Sequence, residues 1–315
     1  MTMSRLASRG HARAMLLAAI GALVLVGTAN AQERFLVDWD SVGEEALEHL
    51  SELIRINSVN PPGNETRVAE YVEAALAAEG IDSTLFWTDP DRANLVARVR
   101  GNGSKRPILI MGHTDVVGVQ ADRWEEDPFG GARKDGWVYG RGSLDDKDTV
   151  TAGMMVLILL QRNGVTLDRD IIFLAESGEE GTPDVGINFM VANHWDEIAA
   201  EFALAEGGGG ELRDDHAHFV GVQTTEKIPR RVQLVARGTA GHGSIPRVDN
   251  AVAILAAAIA KASAWQTEMR LNEKTEAYFA RLATIASPDD AERFSNIADP
   301  DRSESIQRHL LENDP

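Results

Sequence analysis

Three apolar runs of strand length, each ending directly in ionisable residues, constrain this chain more than any other feature: Ile108-Leu-Ile-Met-Gly-His113-Thr-Asp115, Ile171-Ile-Phe-Leu-Ala-Glu-Ser-Gly-Glu179-Glu180 and Phe202-Ala-Leu-Ala-Glu206. Apolar runs this short, bounded by turn residues, read as buried strands. Strands buried on both faces need helices above and below them. The remaining pattern supplies these: helical periodicity over 42–56, 64–79 (Asn64 as cap, Gly80 after the end), 147–163 (Gly164 after the end) and 184–198, and further strands over 83–87, 94–100, 107–112, 170–176 and 202–206. Asp135-Gly136 marks a hairpin turn. The order predicts an α/β fold, a mixed, mostly parallel sheet with helices on both faces. In such sheets the carboxyl ends of the strands converge on one edge, which would collect His113, Asp115, Glu179, Glu180 and Glu206.

With 315 residues, 43% of them hydrophobic, the chain can bury two cores. The pattern changes near Gln223. Residues 231–237 alternate like a strand and 249–264 form an Ala-rich helix. The expected organisation is a catalytic domain over 32–223 and a smaller α+β domain over 224–315. Residues 1–31 read as a signal peptide: Arg5, Arg9 and Arg13 form a positive region, 15–26 an apolar one, and Ala29-Asn30-Ala31 a cleavage site. The apolar stretch is too short to span a bilayer comfortably. The expectation is export to the periplasm or medium, with no stable membrane span after cleavage. A formal net charge of −18 argues against nucleic acid or an anionic membrane as partner.

The chain has no cysteine, so disulfides and thiolate ligands are excluded, and any metal must be held by His and carboxylates. His113 can offer a neutral imidazole, with Asp115 nearby to accept its other N–H and fix the tautomer. Asp145 and Asp146 stand in a Gly-rich loop entering a helix, Gly140-Arg-Gly-Ser-Leu-Asp145-Asp146-Lys147. One such carboxylate can bridge two cations roughly 3.5–4 Å apart, although Asp also suits a plain helix N-terminus. Adjacent Glu179 and Glu180 would repel without a cation or proton between them. Glu206 precedes four glycines, and His242 sits in the turn Gly241-His242-Gly-Ser-Ile-Pro246. His216 and His218 read as a solvent-facing strand edge.

Taken jointly, Ser58-Val-Asn-Pro-Pro-Gly63, Gly-His113-Thr-Asp115, Trp124-Glu-Glu-Asp-Pro-Phe129, the Gly140–Lys147 loop, Gly178-Glu179-Glu180-Gly181, Ala205-Glu206-Gly-Gly-Gly and Gly241–Pro246 resemble the M20 family of zinc peptidases and amidohydrolases. The Leu-Asp-Asp-Lys variant is more similar to its carboxypeptidase S and N-acyl-amino-acid hydrolase branch than to its deacetylases. The resemblance implies two zinc ions per subunit, with Co2+ or Mn2+ as substitutes. His113, Asp145 and Glu206 would hold one ion. Asp145 and Glu180 would hold the other, with Asp145 bridging. Asp115 would orient His113, and Glu179 would act as general base and then acid. His242, from the smaller domain of a partner subunit in a homodimer, would steady the tetrahedral oxyanion. A cis peptide is implied at Asp145–Asp146. The reaction implied is hydrolysis of a peptide or N-acyl-amino-acid amide bond by zinc-activated water.

One ligand is missing from this pattern. The family's second zinc takes a terminal His from a segment after the smaller domain. Here only His309 follows His242, within a segment that resembles a helix of that domain. The expectation is therefore an incomplete sequence, with a defective or non-catalytic binding protein on the same fold as the alternative.

Overall fold

The computed structural model describes residues 35, 37–213, 216–226, 228 and 230–313. The expected signal segment, with Arg5, Arg9, Arg13 and the Ala29–Ala31 cleavage site, lies outside them. No helix among the described residues is long and apolar enough to cross a membrane.

The elements of the first part are α1 (Trp39–Arg55), α2 (Glu65–Ala78), β1 (Ser83–Phe86), β2 (Asn94–Val99), β3 (Ile108–His113), the hairpin β4 (Ala132–Lys134) and β5 (Trp137–Tyr139), α3 (Lys147–Arg162), β6 (Ile171–Glu176), α4 (Ile187–Asn193), α5 (Trp195–Ile198) and β7 (Phe202–Leu204). Asp38 caps α1, accepting from the Ser41 N–H. The Asp135-Gly136 turn takes positive φ at both positions (53° and 83°), which matches a two-residue hairpin. The expected single helix over 184–198 is instead two short ones. The chain turns at His194, whose ring packs on Phe86 and Phe189 with centroids 4.5 and 4.9 Å away.

Five strands form one sheet in the order β1-β2-β6-β3-β7. The β1–β2 and β2–β6 pairs are antiparallel, and β6–β3 and β3–β7 are parallel. The period-two alternation of the strands sorts their side chains into two cores. Leu95, Ala97, Phe173 and Ala175 pack with Leu53 of α1, Val68, Val72 and Leu76 of α2 and Met154, Leu157 and Ile158 of α3. Val96, Leu109, Ile172 and Leu174 pack on the other face with Met190 of α4 and Ile198 of α5. Helices therefore cover both faces of a mixed sheet, and the α/β expectation holds. Because β6, β3 and β7 run parallel side by side, their carboxyl ends emerge at one edge.

The chain divides into two compact units between Glu206 and Gly207. The sequence-level boundary after Gln223 leaves a β-hairpin, β8 (Gly209–Arg213) with β9 (His216–Gly221), on the other side of that line. The second unit continues with α6 (Ala251–Ser263), α7 (Glu273–Leu282), α8 (Pro288–Ser295) and α9 (Ser303–Asn313), which carries His309. The Ala-rich helix is present, capped by Asn250. The alternating segment 231–237 is not a strand here: Val232 and Val235 are 80% and 64% exposed. Alternation alone does not make a strand. It needs a neighbouring ladder, and none is paired with these residues among those described.

Candidate metal centre

His113 ends β3, and its register partner on β6 is Glu176. The residues that follow these strand ends, together with the loop before α3, converge on the His113 imidazole. Its Nε2 lies 2.9 Å from Asp145 Oδ1, 3.4 Å from Glu206 Oε2 and 3.9 Å from Glu179 Oε2. Two triplets, His113/Asp145/Glu180 and His113/Asp146/Glu206, each place three potential ligand atoms within 4.8 Å of one another. Asp115, Asp145, Glu179, Glu180 and Glu206 are thus brought together around His113. His242 belongs to the second unit, where its Nδ1 is 2.8 Å from Ser244 Oγ. The exposed edge read for His216 and His218 is strand β9.

The other ring nitrogen faces Asp115. His113 Nδ1 is 3.0 Å from the main-chain carbonyl of Asp115 and 3.6 Å from its carboxylate. The carbonyl is the acceptor at hydrogen-bonding distance of Nδ1, and Nε2 faces the carboxylates. The fully buried Asp115 carboxylate serves another purpose. It accepts the backbone N–H groups of Glu179 and Glu180, both at 3.1 Å, and the side-chain amide of Asn60 at 2.7 Å. The residue expected to orient the histidine also organises the turn that carries both glutamates.

Asp146 is the member that the sequence reading left without a role. It is buried, and its Oδ2 accepts the His113 backbone N–H at 3.1 Å. This approach is open because the preceding residue is Gly112: a side chain there would begin 2.9 Å from that same oxygen. The Asp145–Asp146 peptide is cis, as the family pattern implies. Glu176 is a second unanticipated member, buried, with Oε2 lacking any hydrogen-bond partner.

Charge crowding shows in the acidities. Burial raises the pKa of Glu179, Glu180, Glu206 and Asp146. Neighbouring carboxylates, Asp145 for Glu180 and Asp146 for Glu206, add to the rise, while His113 opposes it. Burial, helped by Glu179 and Asp115, pushes Glu176 up to about 7. Burial would also raise Asp115, but the His113 imidazole beside it and hydrogen bonds from Asn60 and the Glu180 amide hold it below the usual range. Burial disfavours protonation of His113, yet Asp115, Asp146 and Glu206 push its pKa up to about 10. Carboxylates crowded around one imidazole are a site short of positive charge.

The donor set fits a divalent cation. Tetrahedral zinc with ligands at about 2.0–2.2 Å sets ligand atoms roughly 3.3–3.6 Å apart, and the His113–Glu206 separation of 3.4 Å matches that edge. The unpartnered Glu176 oxygen and the raised carboxylates are relieved by the same added charge.

Residues 109–287 match the model of peptidase family M20/M25/M40. This chain belongs to that family. A probable succinyl-diaminopimelate desuccinylase of Staphylococcus epidermidis is 31% identical over 215 residues, 67% of this chain and 49% of that protein. An N-fatty-acyl-amino acid synthase/hydrolase of Homo sapiens is 33% identical over 228 residues, 69% of this chain and 45% of that protein. The chain therefore spans about half the length of the curated relatives it matches. A metallo-carboxypeptidase of the M20 family from Sulfolobus solfataricus superposes on 52% of this chain and 38% of its own, at 22% identity and a TM-score of 0.47.

Proposed function

We propose that this chain is part of an exported hydrolase that uses two zinc ions to cleave a peptide or N-acyl-amino-acid amide bond, and that it works as a homodimer through its second unit. The observation that carries this reading is the convergence of His113, Asp145, Glu180 and Glu206 beside the carboxylate of Glu179, where the ends of β3, β6 and β7 meet the loop before α3. Membership of the family supports it, as do relatives named as a probable succinyl-diaminopimelate desuccinylase and an N-fatty-acyl-amino acid synthase/hydrolase.

His113, Asp145 and Glu206 would hold one zinc, and Asp145 with Glu180 the second. Bound zinc supplies Lewis acidity, polarising a carbonyl and lowering the pKa of water to about 7. The chain's own residues do the rest. Asp115 fixes the histidine's position through its main-chain carbonyl and the glutamate turn through its carboxylate. Glu179 holds no salt bridge to Lys or Arg among the described residues, and burial raises its pKa above the ordinary carboxylate value. A carboxyl so tuned can take a proton from water and return it to the leaving nitrogen, a service that contributes typically about 10²–10⁴-fold. His242 from the partner subunit would stabilise the oxyanion.

The test is Glu179→Gln, assayed on N-acyl amino acids and dipeptides with zinc content measured in parallel. The expected result is wild-type zinc content with turnover reduced by about 10²–10⁴-fold. Near-normal turnover would remove Glu179 from the role. Zinc uptake by the wild type without any turnover on the panel would replace the hydrolase with a binding protein.

A further inference from the structure

Outside the ligands, one buried polar chain ends at the metal centre and has no part in the mechanism above. It starts at Glu65, the first residue of α2, which is fully buried. Arg92, from the loop before β2, meets it with a two-pronged contact, Nε and Nη2 donating to Glu65 Oε2 and Oε1 at 2.6 and 2.7 Å. Arg92 Nη1 also donates to the Pro62 carbonyl at 3.0 Å. Its Nη2 donates to Thr182 Oγ1 at 2.8 Å. The same Thr182 oxygen accepts from Asn60 Nδ2 at 2.9 Å, and Asn60 Nδ2 donates its other hydrogen to Asp115 Oδ2 at 2.7 Å. Asp115 then accepts the Glu179 and Glu180 amides.

The geometry is built rather than incidental. Gly63 has φ +91°, and any side chain there would overlap the Arg92 guanidinium, so the loop is shaped to lay backbone against that group. Asn60 is locked beside the β3 end: its N–H donates to the Val116 carbonyl at 2.9 Å, and the Val116 N–H donates back to Ser58 at 3.1 Å. The Thr182 N–H closes the turn by donating to the Gly178 carbonyl at 2.8 Å. The turn with Glu179 and Glu180 is therefore gripped twice, by Asp115 at its amides and by Asn60 and Arg92 at Thr182. A guanidinium is needed for this. Its rigid fork satisfies Glu65 on one side and reaches Thr182 with the same Nη2, which a lysine cannot reproduce.

We infer that Asn60, Arg92 and Thr182 are positioning residues that hold the 178–182 turn, and so set where Glu180 binds metal and where Glu179 stands as base. This rests on the metal-site reading above. It assigns no chemical step to the three residues, only the placement of those that act. Removing groups that support a metal's ligands typically costs about 10–100-fold in metal affinity or activity.

The test uses the full chain with Thr182→Val, which keeps the shape and removes the acceptor, and Thr182→Ser, which restores an oxygen. Zinc affinity is measured by chelator competition, and amide hydrogen exchange is followed in the metal-free protein across the peptide containing 179 and 180. The expected result for Thr182→Val is zinc binding weaker by about tenfold or more, with faster exchange at 179–180 and unchanged exchange in α2 and α3. Thr182→Ser should return both readouts to wild type. Asn60→Ala should reproduce the Val phenotype. Wild-type exchange and zinc affinity in both Thr182→Val and Asn60→Ala would overturn the inference, as would failure of Thr182→Ser to restore either. If the wild type hydrolyses nothing, the functional reading falls while amide exchange still decides whether the turn is held this way.

Discussion

Replacing Asp115 by Asn isolates the group on which the two halves of the site depend. The substitution keeps size and shape and removes one acceptor and the charge. The buried carboxylate accepts three N–H groups, from Glu179, Glu180 and Asn60. An Asn placed with its oxygen toward Glu180 and Asn60 must turn its own N–H2 toward the Glu179 amide, leaving that donor unpaired. An unpaired buried donor costs about 1–3 kcal/mol, and hydrogen bonds to a charged group exceed neutral ones by about 1 kcal/mol each. Two weakened bonds and one lost bond total about 3–5 kcal/mol. The expectation is destabilisation of that size, about 3–5 kcal/mol. Urea unfolding of the metal-free protein at pH 7, followed by tryptophan fluorescence, measures it directly, since Trp39, Trp87, Trp124, Trp137 and Trp195 all precede Glu206. A variant within about 0.5 kcal/mol of wild type, the range of ordinary surface changes, would refute the argument that this carboxylate holds the glutamate turn.

Two further predictions concern pH, and one concerns the metal. Glu176 sits at about 7 in the folded protein against 4.5 ordinarily, so the native state binds more protons between those values; metal-free stability should fall as pH rises through that window, by up to about 1.4 kcal/mol per unit, and Glu176→Gln should flatten the fall. Lys147 is fully buried and donates to the Leu53 and Ile56 carbonyls at 2.8 and 2.7 Å, yet burial lowers its pKa from 10.5 to about 7. Between these values the unfolded chain binds more protons, so stability should climb with pH there, and the climb should be absent in Lys147→Met. His113→Ala should lower zinc affinity by at least about tenfold, read by chelator competition, while leaving urea stability of the metal-free protein closer to wild type than Asp115→Asn does.

What could be read from the chain alone follows from how locally each feature is encoded. Strand-length apolar runs and capped helices are local, so β3, β6, α1, α2 and α3 lie where the pattern places them. The cluster around His113 was legible in part because parallel strands align their carboxyl ends, which brings the residues after β3, β6 and β7 together, with Asp145 joining from the loop before α3. Asp146 was not legible: its burial depends on a glycine at 112, thirty-odd positions away, that leaves room for its carboxylate. Nor was the grip of the Asp115 carboxylate on the Glu179 and Glu180 amides, since those donors lie more than sixty residues away in sequence. Arg92, Asn60 and Thr182 come from three separate loops with no shared periodicity. The segment 231–237 shows the opposite failure: a strand-like pattern without a ladder to join.

The most direct test of the central claim is a crystal structure of the zinc-loaded protein with anomalous scattering recorded on both sides of the zinc edge. The expected result is anomalous density about 2.0–2.2 Å from His113 Nε2, shared with Asp145 and Glu206, and a second peak reached by Asp145 and Glu180. Zinc density elsewhere, or none within reach of His113 at saturating zinc, would contradict it.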